Sequence, residues 1–81
     1  MSTGENIKRI RNIRGMTQKE LGIAVGIGEE SAGPRMAQYE TGKRTPKEKM
    51  LNKIAEVLEA DLRNIAIPIG YKEEDMIYRL L

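Results

Sequence analysis

The sequence predicts an all-α protein, a compact bundle of five helices followed by a short C-terminal helical extension. Apolar residues recur at spacings of three and four through most of the chain, the period of a helix with one buried face. Ser/Thr-x-x-Glu capping boxes stand ahead of these runs at Ser2–Glu5, Thr17–Glu20 and Thr45–Glu48. Glycines stand where a helix stop is expected, Gly15 and Gly26 after the first two of these runs and Gly42 after a third helix ahead of Thr45.

The first helix is expected from Ser2 to Arg14, capped either by Ser2 with Glu5 or by Thr3 with Asn6. Ile7, Ile10 and Ile13 form its apolar edge, and Lys8, Arg9, Arg11 and Arg14 make the rest basic. The second opens at Thr17, with Leu21, Ala24 and Val25 inward, and stops at Gly26. The segment Gly26 to Gly33, GIGEESAG, reads as a loose turn anchored by Ile27. The third helix is expected to start near Ala32 or Gly33, with Pro34 in its first turn, where a missing N–H costs nothing. Met36 and Tyr39 face inward, Arg35 and Gln38 outward, and Gly42 closes it. A basic link, GKRT, leads to a fourth helix capped at Thr45, with Pro46 at its first position and Met50, Leu51, Ile54, Ala55 and Leu58 on its inner stripe. Asp61 caps a short fifth helix carrying Leu62 and Ile65. Pro68 and Gly70 then break the pattern, and an amphipathic stretch from Lys72 to Leu81 puts Met76, Ile77, Leu80 and Leu81 on one side. The chain divides into a helical domain over 1–66 and an extension over 67–81.

Eighty-one residues bound one small domain with a modest core. With no Cys there is neither a disulfide framework nor a thiolate metal site, and with no His the commonest general base is missing. No Ser or Lys stands in an activating motif, so an enzyme is not expected, nor a cofactor or metal. The acidic clusters Glu29-Glu30 and Glu73-Glu74-Asp75 read as solvated, because adjacent residues do not converge on one point. The net charge of +2 is unevenly spread: Met1 to Lys49 holds ten Lys/Arg against six Asp/Glu, while Met50 to Leu81 holds four against six. No apolar run approaches the roughly 20 residues of a membrane span, and no signal-peptide pattern opens the chain. A cytoplasmic protein with no membrane partner is expected.

The second and third helices, with a polar outer face on the third, have the arrangement by which a helix-turn-helix reads DNA. The run from Ile7 to Ile65 resembles the lambda-repressor-like helix-turn-helix family of the Cro/C1 and xenobiotic-response-element type. IRNIRGMTQKELG, MAQYETGKRTP and LNKIAEVLEADLRNI carry the resemblance, through Arg11, Gly15, Thr17-Gln18, Leu21, Glu40-x-Gly42 and Pro46. It implies a five-helix domain that binds double-stranded operator DNA, usually as a dimer. Two features depart from the family pattern. The segment after Ile27 is about four residues longer than the usual turn, and Gly22 stands where the family often has Ala.

The resemblance implies a reading helix around Gly33–Thr41. Gln38 would read a base edge, and Gln pairs bidentately with adenine. Arg35 would read guanine or grip a phosphate, and Ala37 would touch a thymine methyl. Gly33 and Pro34, at the expected helix start, would contribute backbone or close van der Waals contact. Gln18 and Thr17, at a helix N-terminus that favours anions, with Lys43, Arg44 and Arg11, are expected on phosphates. Arg11 and Glu40 are also expected to pair across the bundle and fix the angle of the reading helix.

The function expected is a sequence-specific transcriptional regulator, a repressor of phage or plasmid type. The alternative is an antitoxin or coactivator-like protein-interaction module with a protein partner the sequence does not identify. A homodimer is expected through Ile67, Ile69, Met76, Ile77, Leu80 and Leu81, unless that tail folds back over its own core.

Overall fold

In the computed structural model α1, Thr3–Ile13, begins at a reciprocal cap. Ser2 Oγ accepts from the Glu5 N–H at 3.1 Å and Glu5 Oε1 from the Ser2 N–H at 3.3 Å. The structure describes residues 2–66, and the expected C-terminal extension, with the dimer contact placed on it, lies outside the described residues. α2, Gln18–Ala24, starts with the same device at Thr17 and Glu20. α3 is Glu29–Thr41, α4 is Glu48–Leu58, and a single 3-10 turn, Leu62–Asn64, follows. The described residues therefore hold four α-helices. The expected fifth is one tight turn, in which Asp61 Oδ1 accepts from the Arg63 N–H at 2.9 Å. The Arg63 guanidinium and N–H hold the Asp61 carboxyl down to about 2.

Two helix starts differ from the sequence expectation. α3 opens at Glu29 behind Gly28, not near Ala32 or Gly33. The four residues beyond the usual turn are thus one more turn of α3, since a turn takes 3.6 residues. Pro34 consequently lies inside the helix, where its missing N–H leaves the Glu30 carbonyl without a ladder donor. α4 starts at Glu48 behind Lys47, with no side-chain cap. The Thr45–Glu48 box does not form, and Pro46 is buried ahead of the helix instead.

Ile7, Leu21, Met36, Ile54, Leu58 and Ile65 are fully buried at the centre, joined by Ile10, Val25, Tyr39 and Ala55. Met50 and Leu51 pack on its edge. Ile13, by contrast, is 67% exposed, and Ala24 is exposed too. The buried line of α1 runs 7, 10, 11, so Ile13 turns outward, and Arg14, the exposed residue that caps the helix, reaches across to α4. Its Nε donates to the Leu58 carbonyl at 2.7 Å and its Nη2 to that of Glu59 at 3.1 Å. A cation thereby caps the negative end of α4. Asn6 is buried as well, its Nδ2 donating to the Ile65 carbonyl at 3.1 Å.

The helices cross closely at two glycines. A Cβ on Gly22 would lie 2.5 Å from the Ala32 carbonyl oxygen, in the added turn of α3. A Cβ on Gly4 would overlap the carbonyl oxygens of Tyr39 and Glu40. Gly33 differs, because its Cβ would meet only Lys19, at 3.8 Å. Gly4→Ala and Gly22→Ala are therefore each expected to destabilise by about 1–3 kcal/mol through overpacking. Gly33→Ala is expected to stabilise by roughly 0.5–1 kcal/mol through helix propensity. Urea midpoints check this, and a Gly22→Ala midpoint equal to wild type would show that the helices do not meet there.

Candidate nucleic-acid interface

The outer face of α3 is set by what its inner face holds. Glu40 lies on the inner side and meets Arg11 of α1 in a two-pronged pair, Nε to Oε2 at 2.6 Å and Nη2 to Oε1 at 3.0 Å. The two side chains are 9% and 2% exposed. Arg11 Nη1 also donates to the Met16 carbonyl at 2.7 Å, and Gln18 Nε2 donates to Glu40 Oε1 at 3.1 Å. α1, the turn after it, the start of α2 and the end of α3 all converge on one carboxylate. Among the described residues no buried side-chain nitrogen or oxygen is left without a partner.

Two of the residues expected on phosphates, Arg11 and Gln18, take part in this network. Arg11 is buried, and its guanidinium is engaged by Glu40 and Met16. The Gln18 amide is turned onto Glu40. The Thr17 N–H is held by Glu20 at 2.8 Å, and that bond keeps the Glu20 carboxyl below its ordinary range. A carboxylate at the start of α2 repels a phosphate.

On the opposite side of α3, steps of about 100° per residue line up Ser31, Pro34, Gln38 and Thr41. Arg35 and Ala37 flank that line on either side, both half-buried. Gly33 now falls beyond the first four N–H groups of the helix, so its amide belongs to the helix ladder. Ser31 joins the outer line unforeseen, because GIGEESAG reads as a turn from composition. Glu29 and Glu30 occupy the first turn, and Glu29 meets Lys19 at 3.4 Å in an exposed pair.

The C-terminal end of α3 carries the opposite charge. Gly42, at φ 81°, turns the chain back in a conformation that glycine adopts without strain. The Arg44 N–H then donates to the Gln38 carbonyl at 3.1 Å, and Arg44 Nε donates to Gln38 Oε1 at 3.2 Å. Lys43 is exposed beside them. Chemically this is a helix face with polar side chains at Ser31, Gln38 and Thr41 and cations at one end. Among the described residues no cluster of acidic side chains is arranged to hold a metal. No described helix is long and apolar enough to cross a membrane.

Glu40→Ala strands a buried guanidinium. A loss of roughly 3–5 kcal/mol is expected, the usual cost of breaking a buried pair from one side. A melting temperature within error of wild type would place the pair in solvent.

No family model matches the chain. A protein of Yarrowia lipolytica (strain CLIB 122 / E 150) described as multi-protein-binding factor 1 is 39% identical over 74 residues, 88% of this chain. The chain spans 45% of the length of that relative. Among solved structures, the transcriptional regulator BswR superposes with a TM-score of 0.77 at 34% identity, over 99% of this chain and 73% of that one. With a third of its residues identical over most of both chains and the fold in common, this chain belongs to the same family as BswR.

Proposed function

We propose that the protein is a sequence-specific DNA-binding transcriptional regulator, a repressor of phage or plasmid type, that lays the outer face of α3 in the major groove. The observation that carries this reading is the polar face of α3, fixed by the buried Arg11–Glu40 pair and flanked by Lys43 and Arg44. Likeness to a transcriptional regulator supports it. Gln38 projects toward base edges, Ala37 and Arg35 line the sides, and Lys43 grips the backbone. Two copies, joined through the residues after Ile65, would read half-sites about one helical turn apart.

The second reading, a coactivator-like interaction module, is favoured by the relative described as multi-protein-binding factor 1. It is also favoured by Glu29 and Glu30, which put negative charge at the start of the proposed reading helix. An antitoxin on the same fold is a variant of that reading.

Salt dependence separates them. Lys43→Ala is expected to weaken binding to all duplexes alike and to lower the slope of log K against log salt by about one. An unchanged slope takes Lys43 off the backbone. Replacing Glu29 and Glu30 by Gln is expected to tighten DNA binding at low salt, with the gain fading as salt rises. No gain would turn the first turn of α3 away from DNA. A DNA-independent complex with a protein partner, without salt-sensitive DNA binding, would favour the second reading.

A further inference from the structure

We propose that Arg44 is a positioning residue that decides which base Gln38 reads: it holds the Gln38 carboxamide by its oxygen, so that the pair selects guanine rather than adenine. The inference rests on the DNA-binding reading above.

Arg44 grips Gln38 twice, through its own backbone N–H to the Gln38 carbonyl at 3.1 Å and through Nε to Oε1 at 3.2 Å. The first bond and the left-handed Gly42 fix where the chain returns. The second fixes which way the amide points. Chemistry decides which amide atom faces Arg44. A guanidinium has only donors, so the atom facing it must be Oε1. Nε2, with its two hydrogens, is therefore turned away from Arg44. Among the described residues no carboxylate competes for Arg44.

The consequence is a change in what the helix presents. Reading adenine takes both amide atoms at the base edge, Oε1 accepting from N6 and Nε2 donating to N7. Oε1 keeps a second lone pair, but adenine N6 would have to share that oxygen with the guanidinium of Arg44, which sets the hydrogens of N6 and those of Arg44 donor against donor. What remains outward is the Gln38 NH2 and the terminal nitrogens of Arg44, all donors. Guanine is the base whose major-groove edge offers two adjacent acceptors, N7 and O6. Gln38 and Arg44 thus form a composite reader, although six positions separate them in the chain.

Selection of bound sites from a random duplex pool, followed by competition titrations, tests this with wild type, Gln38→Ala and Arg44→Ala. Gln38 is half-buried and Arg44 exposed, so both variants are expected to keep the wild-type melting temperature. Wild type is expected to select guanine at one position of each half-site by about tenfold, within the range for one two-pronged contact. Gln38→Ala loses that preference. Arg44→Ala frees Oε1, and adenine replaces guanine at that position while the others keep their preferences. Adenine in the wild-type site overturns the proposal. So does an Arg44→Ala protein that binds every sequence more weakly with its base preferences unchanged, which makes Arg44 a phosphate contact alone. Either result leaves the DNA-binding reading standing. Absence of salt-sensitive binding to any duplex removes both.

Discussion

A buried carboxylate is costly unless donors surround it, and the architecture of this domain follows from how Glu40 is satisfied. Two nitrogens of Arg11 and the amide of Gln18 meet its two oxygens. Such a pair does not by itself make a fold more stable, because desolvation offsets much of the attraction. What it supplies is direction. Glu40 and Gln38 are two positions apart on α3, about 200° around the helix. Fixing the inward side chain therefore fixes the angle at which the outward one is shown.

The other contact that places α3 lies near its opposite end, where Gly22 of α2 meets Ala32. The two departures from the family pattern are one feature. The added residues build a further turn on α3, that turn lies against α2, and only a residue without a side chain leaves room beneath it. An Ala at position 22 would push the new turn off. Buried pair and glycine crossing act at separate points of the helix, so α3 is held near both of its ends.

Much of this was legible in the sequence where the signal is local. The boxes at Ser2 and Thr17 each satisfy two N–H groups within four residues, and both form as read. The Arg11–Glu40 pair was legible through the resemblance. The start of α3 was not, because Gly, Ser and Pro lower helix propensity and GIGEESAG looks like a turn. Packing of Ala32 on Gly22 overrides that propensity, and the acidic pair Glu29-Glu30 suits a helix N-terminus. The box at Thr45 fails for the converse reason, because Pro46 is buried and the helix begins after it. Asn6 and the reach of Arg14 to α4 escaped notice because a search for apolar periodicity passes over polar side chains. The engagement of Gln18 was also unreadable, since its partner lies 22 positions away.

Charge along α3 limits how it meets a polyanion. Its first turn holds Glu29 and Glu30, with no cation in that turn. Lys19 answers Glu29 only in an exposed pair, worth under about 1 kcal/mol. Lys43 and Arg44 stand at the far end. On the DNA-binding reading, the attraction to phosphate is concentrated where the chain leaves the helix. The C-terminal half then seats deepest, and the added turn stays toward the rim of the groove. Gln38 lies in that C-terminal half, beside Arg44 and directly opposite the anchored Glu40. The best-fixed part of the helix, the strongest positive charge and the amide most able to discriminate bases therefore coincide. Gly33 and Pro34, which the sequence alone places at the reading end, fall instead in the middle of α3, where the backbone is already committed to the helix.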